Sequence, residues 1–128
     1  MSLDLDLFAS PYAVCRLAPG AAVPEWAEND ELLSVTRTAE ELSVVCPLDK
    51  VPEGVRCERD FRVLKIRGPL DFGMIGVLAG LAGPLADAGI SIFVLSTFDT
   101  DILLVKQEDL GRTAEVLLHE GHNVLGPF

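Results

Sequence analysis

No apolar run in this chain is long enough to cross a membrane. The longest, Met74 to Ala86, has 13 residues and is broken by glycines and a proline, whereas a spanning helix needs about 20. A basic surplus is missing too: ten Lys and Arg stand against twenty Asp and Glu, for a net charge of −10. Phosphate binding needs clustered cations, so nucleic acid is not expected as a partner and anionic membrane surfaces are disfavoured. Asp4 and Asp6 occupy the N-terminus where a secretory signal would carry positive charge, and a cytoplasmic protein is expected. Cysteine is scarce. Cys15, Cys46 and Cys57 are odd in number and fit neither a zinc spacing nor C-x-x-C. They read as free, mostly buried thiols suited to a reducing compartment.

The signatures of catalysis are equally thin. The glycines of GPLDFGMIG are followed by no G-K-[ST] and form no G-x-G-x-x-G, so no nucleotide is expected. His119-Glu120-Gly121-His122 is not H-E-x-x-H, and a capping glycine would separate the two rings. They read as surface histidines near a helix C-terminus. Ser96 and Thr97 have no nearby base. Asp99 and Asp101 share a turn, but two carboxylates are too few for Mg²⁺ or Ca²⁺. No catalytic residue, metal or cofactor is therefore assigned, and the chain reads as non-enzymatic.

What the chain does have is apolar weight. Its 128 residues are 49% hydrophobic, enough for one ordinary domain or two very small ones sharing a core. Hiding that surface favours oligomerisation.

The stretch Arg67–Lys106 organises the rest. A helix is expected from Asp71 to about Ala88. At 100° per residue, Met74, Val77, Leu78, Leu81 and Leu85 share one side, while Gly73, Gly76, Gly80 and Gly83 share roughly the opposite one. Glycine costs a helix on the order of 1 kcal/mol relative to alanine, so a bare face needs a cause. It lets a second helix, a second subunit or a bound molecule come close. Pro84 removes an N–H and leaves the Gly80 carbonyl without its helical partner.

Along the chain, LDLDLF (3–8) alternates like a strand with one buried face. Ser10-Pro11 interrupts it, and YAVCRL (12–17) follows as the other half of a hairpin or the continuation of one bulged strand. PEWAEND reads as a short helix with Trp26 turned inward. LLSVTRT (32–38) and ELSVVCP (41–47), rich in β-branched residues and separated by Ala39-Glu40, read as a hairpin. VRCERDFRVLKIR (55–67) is a long extended segment in which any domain boundary falls. Gly89 caps the first helix. ISIFVLST (90–97) reads as a strand covered on both sides, FDTD (98–101) as the turn, and ILLVK (102–106) as the returning strand. A second helix, 107–120, buries Leu110, Ala114, Leu117 and Leu118 and is capped by Gly121, and HNVL (122–125) closes the order β-α-β-β-α-β. That order is ferredoxin-like, and the first half repeats it in reduced form. The expected class is α+β: two ferredoxin-like modules, residues 1–58 with reduced helices and 59–128, each an antiparallel sheet with helices on one face.

AGPLADAGIS at the end of the first helix and the STFDTDILLV hairpin resemble the ACT domain. More narrowly, the chain is similar to the paired ACT modules of the CASTOR-type arginine sensors and to the regulatory part of aspartate kinases. The resemblance implies binding of a small molecule, usually an amino acid, without chemistry. The ligand would lie between the loop opening the first helix of one module and the strand edge of a neighbour. By position, the pocket would use Phe72, Gly73, Met74, Ile75, Gly76, Gly80, Thr97, Phe98 and Asp101. The arginine sensors of the family carry an acidic residue where this chain has Met74, which points away from arginine. Those sensors hold two pairs of modules in one chain, so the same assembly here would require a homodimer. The expected function is an amino-acid sensor that reports to a downstream protein; the alternative is an assembly module indifferent to ligands.

Overall fold

The computed structural model of the protein describes residues 2–70 and 76–127. Among them run strands β1 (Asp4–Leu7), β2 (Tyr12–Leu17), β3 (Ser34–Arg37), β4 (Leu42–Pro47), β5 (Cys57–Ile66), β6 (Ile92–Ser96), β7 (Asp101–Lys106) and β8 (Asn123–Leu125). Helix α1 (Val77–Asp87) lies between β5 and β6, and α2 (Leu110–His119) between β7 and β8. The chain divides into two compact units, residues 10–61 and residues 1–9 with 62–128, so the boundary falls inside β5.

In the 10–61 unit the strand order is β3-β4-β2-β5, with each neighbouring pair antiparallel. This is the ferredoxin-like order, with its helices reduced to single 3₁₀ turns at Glu25–Ala27 and Leu48–Lys50. Only nine residues, including Pro52 and Gly54, separate β4 from β5, too few and too broken for a stable helix. The β3–β4 hairpin closes on Ala39-Glu40, with the Thr38 N–H donating to the Glu41 carbonyl at 2.9 Å. Thr38 Oγ1 accepts from the N–H groups of both Glu40 and Glu41. The core is small: Ala13, Cys15, Ala27, Leu42, Val44 and Cys46. Trp26 is half-buried at its edge, and Ala27 is the residue that turns fully inward.

In the other unit the order is β6-β7-β5-β1-β8. The N-terminal strand β1 is inserted between the first and last strands of the β-α-β-β-α-β set, antiparallel to β5 and parallel to β8. Sequence order assigns residues 3–8 to the first module; their pairing puts them in this unit. Nor do β1 and β2 form a hairpin. Each runs antiparallel to its own part of β5, β1 beside residues 64–66 and β2 beside residues 57–61. The alternation of β1 sends Leu3, Leu5 and Leu7 into a core with Leu64, Ile66, Leu103 and Val105, covered by Val77, Leu81 and Leu85 of α1 and Leu110 and Leu117 of α2.

Both helices end on a left-handed glycine. Gly89 (φ +76°) and Gly121 (φ +90°) are each followed by a residue whose N–H reaches back to a helix carbonyl, Ile90 to Leu85 and His122 to Leu117, both at 2.9 Å. This satisfies carbonyls that would otherwise be orphaned. Four other details differ from expectation. Helix α1 starts at Val77, with Gly76 as a left-handed N-cap at φ +83° rather than a helical residue. The buried stripe of α2 is Leu110, Thr113 and Leu117, while Ala114 is half-buried and Leu118 is 65% exposed. Thr113 tolerates burial because its Oγ1 donates to the Asp109 carbonyl at 2.7 Å. Strand β6 is half-buried from Ile92 to Leu95, as suits an edge strand paired with β7. His122 is buried, its Nδ1 accepting the Leu3 N–H at 3.1 Å; His119 is exposed.

Candidate ligand-binding site

The β6–β7 hairpin is clamped at its turn. The Thr97 N–H donates to the Thr100 carbonyl at 2.8 Å. Thr97 Oγ1 donates to that same carbonyl at 3.0 Å and accepts the Thr100 N–H at 3.2 Å. Thr100 is buried, and its Oγ1 donates to the Ile66 carbonyl at 2.8 Å. The turn is thus tied to the end of β5. The loop that leaves β5 is tied back to the turn, because the Leu70 N–H donates to the Asp99 carbonyl at 2.7 Å. Gly68 sits where these meet. A Cβ there would lie 3.1 Å from the Leu70 nitrogen and 3.2 Å from the Asp99 oxygen, so any larger residue would push this backbone apart by a few tenths of an ångström.

Beside this junction is a cleft of about 250 Å³ bordered by Asp6, Lys65, Arg67, Gly68, Pro69, Asp99 and Thr100. Its rim carries both signs of charge. Arg67 makes a two-point contact with Asp6, Nη2 to Oδ1 at 2.6 Å and Nε to Oδ2 at 3.2 Å, and stands 3.9 Å from Asp4. The hydrogen bond from Arg67 holds the Asp6 carboxyl below its ordinary value despite some desolvation. A rim with a guanidinium, an ammonium and carboxylates can meet both ends of a zwitterion.

Of the residues singled out from the sequence, Thr97, Phe98 and Asp101 lie on this hairpin. Asp101 accepts a short hydrogen bond from Ser96 Oγ at 2.6 Å. Phe98 is 81% exposed at the tip. Phe72, Gly73, Met74 and Ile75 lie outside the described residues. Gly76 and Gly80 are exposed, and the Gly80 N–H donates to the Gly76 carbonyl at 2.9 Å. With Gly76 at the N-cap, the bare flank of α1 is carried by Gly80 and Gly83 among the described residues. A Cβ added at either would meet nothing within 4 Å. The flank is therefore open in the single chain. Sequence reasoning missed Asp6, Lys65, Arg67 and Gly68. Asp6 and Arg67 are sixty-one positions apart, and no local pattern joins them. Among the described residues no group of three His, Cys, Asp or Glu is placed to hold a metal ion, and no helix is long and apolar enough to cross a membrane.

The family model of the ACT domain matches residues 56–119, half of the chain. The chain belongs to the ACT domain family. The matched segment carries β5, α1, the clamped hairpin and α2, so the cleft is built largely from the ACT module. A separate family model for an N-terminal domain matches residues 10–54. A crystal structure of a protein from Agrobacterium tumefaciens is 38% identical, with a TM-score of 0.93 over 100% of this chain and 96% of that one. The regulatory subunit of aspartate kinase from Thermus thermophilus, in its ligand-free form, has a TM-score of 0.61 over 91% of this chain and 95% of that one; at 11% identity it shares the fold. The human cytosolic arginine sensor for mTORC1 subunit 1 is 45% identical over 58 residues, which are 44% of this chain and 18% of the sensor. The chain thus matches less than a fifth of the length of these curated relatives. The family to which this ACT protein belongs is one of regulatory, ligand-binding modules.

Proposed function

We propose that this ACT protein is a non-enzymatic, cytoplasmic sensor of an amino acid or a similar zwitterion. The ligand occupies the cleft beside the junction of the 67–70 loop and the hairpin turn, bordered by Asp6, Lys65, Arg67, Gly68, Pro69, Asp99 and Thr100, and a module of a second chain completes the site. The observation that carries this reading is the doubly tied junction itself. Gly68 brings the loop opening α1 against the hairpin turn, and charges of both signs surround the space beside it. The open Gly80–Gly83 flank supports a homodimer, because a bare helix face permits close approach by another backbone. Ligand binding favours one arrangement of the two chains, and a downstream protein reads that arrangement. Met74, where the arginine sensors are acidic, directs the choice of ligand away from arginine.

A thermal-shift screen of the common amino acids at millimolar concentration tests the reading. A ligand at about 100 times its dissociation constant adds roughly 2.7 kcal/mol of stability. A flat response to every amino acid would overturn sensing. The open flank also favours a second reading, an assembly module that dimerises without a ligand. The variant Gly80→Leu distinguishes them: under assembly alone it splits the dimer, and no amino acid shifts the melting temperature of either form.

A further inference from the structure

The three cysteines, scattered in sequence, converge on one face of the sheet in the 10–61 unit. Cys15 on β2 lies directly opposite Cys57 on β5. Cys46 on β4 lies opposite Ala13, one step diagonal from Cys15, whose own partner on β4 is Val44. Residues opposite one another in a ladder point to the same side, and all three cysteines belong to one apolar cluster. Cys15 has both Cys46 and Cys57 as neighbours, each close enough to shift its titration.

The ladder distinguishes the two neighbours of Cys15. The Arg16 N–H donates to the Arg56 carbonyl at 2.9 Å, so the hydrogen bond flanks the Cys15–Cys57 pair and that pair exchanges none itself. In an antiparallel ladder such non-hydrogen-bonded positions are the narrow ones, with Cα atoms about 4.5 Å apart. Disulfides need Cα separations of about 4.4–6.8 Å. Diagonal neighbours such as Cys15 and Cys46 stand about 7–8 Å apart, too far without moving the backbone. Access differs as well: Cys15 and Cys46 are fully buried, whereas Cys57, the first residue of β5, is half-buried.

We propose that Cys57 and Cys15 are an oxidisable pair that closes into a cross-strand disulfide when the chain meets a hydroperoxide. The Cys57 thiolate attacks one oxygen of hydrogen peroxide. The O–O bond breaks, the other oxygen leaves and takes up a proton as water, and Cys57 becomes a sulfenic acid. The Cys15 sulfur then attacks the Cys57 sulfur. The S–O bond breaks, and the hydroxyl leaves as water with the proton from Cys15. Two thiols give up two electrons and two protons, and one peroxide becomes two waters. Cys46 stays reduced. Burial raises the Cys57 thiol above its ordinary value, and a hydrogen bond to Cys46 together with burial raises Cys15. Both are therefore held as thiols at rest, so the Cys57 thiolate that attacks peroxide is a minor species and the pair closes slowly, with the oxidant in excess. The product ties β2 to the start of β5 and closes the chain between residues 15 and 57.

The test uses the whole chain, purified reduced, exposed to hydrogen peroxide and then alkylated. Trypsin separates the three cysteines into the peptides 1–16, 38–50 and 57–59, so the linkage is read directly. The expected product is a monomer about 2 Da lighter before alkylation, with titratable thiols falling from three to one and peptide 1–16 linked to peptide 57–59. Cys57→Ser loses the linkage; Cys46→Ser keeps it. Links through Cys46, links only between chains, or a Cys57 carried to sulfinic acid with Cys15 still free would each overturn the proposal. The wild-type peptide map decides the matter even if a serine variant fails to fold.

Discussion

The two units share a ferredoxin-like strand order, interrupted by β1 in one of them, under different cover. Residues 62–128 place helices of 11 and 10 residues on their sheet; residues 10–61 use two 3₁₀ turns of three residues each. The cores follow from this. Long helices bring Leu81, Leu85, Leu110 and Leu117 down onto Leu5, Leu7, Leu64, Ile66 and Leu103. A single turn brings Ala27, and the facing strands answer with Ala13, Cys15, Val44 and Cys46 alongside Leu42. A ferredoxin-like order can thus lose its helices if the sheet face becomes small enough to be covered by a turn. The unit that kept its helices also kept the loop-and-hairpin junction.

Substitutions in the two cores should separate the units most. Leu81 is fully buried, and Leu81→Ala should cost about 2–5 kcal/mol through lost contacts and a residual cavity. Urea denaturation followed by helical circular dichroism reads this, because both helices lie in the 62–128 segment. Val44→Ala, equally buried, removes two methyl groups and should cost about 2 kcal/mol at ~0.8 kcal/mol per buried carbon. The fluorescence of Trp26, the one tryptophan and half-buried in the 10–61 unit, reads that change. An equal cost at both positions would mean that the two cores are not graded as described.

Gly68→Ala comes next. Its Cβ would press on the backbone of Leu70 and Asp99, and overpacking of this kind costs about 1–3 kcal/mol. The 67–70 loop should lift from the turn, and faster amide exchange at Leu70 would report it. In the single chain a Cβ at Gly80 meets nothing within 4 Å, and losing a helix breaker would by itself stabilise the helix by a few tenths to about 1 kcal/mol. With a second chain packed on that flank, as proposed, Gly80→Ala instead weakens the dimer, read by sedimentation; an unchanged dimer would contradict the contact.

The smallest effect is electrostatic. The folded carboxyl of Asp6 is held below its unfolded value of 3.8 by Arg67. A depressed carboxyl contributes stability that is present above the unfolded value and lost as pH falls through the folded one. Both side chains are substantially exposed, 40% for Asp6 and 54% for Arg67, so screening keeps the contribution small. Asp6→Asn should flatten acid denaturation slightly below about pH 4 and leave neutral stability nearly unchanged.

Much of this fold was legible because local chemistry encodes it. Gly89 and Gly121 stop their helices, Ala39-Glu40 closes a hairpin, and the β-branched runs of β3 and β4 are strands. What local chemistry does not encode is a partner far away. The alternation of β1 reveals a strand, but nothing in LDLDLF names β8, whose pairing residues lie 119 positions on. The same distance hid Asp6 and Arg67 from the candidate site. The start of α1 was obscured because the apolar run passes through Gly76 without a break in hydropathy, whereas a left-handed φ at that glycine begins the helix one residue later. Leu118 was misjudged by width. The stripe of Leu110, Thr113 and Leu117 leaves it about 100° to one side, where it faces outward.

Hydrogen–deuterium exchange of the whole chain, with and without an amino-acid mixture at millimolar concentration, tests the central claim most directly. Bound ligand should slow exchange at the Leu70 amide and across Thr97–Thr100 and leave the amides of the 10–61 unit unchanged. Binding that protects other segments while Leu70 and the Thr97–Thr100 turn exchange as before would contradict that claim.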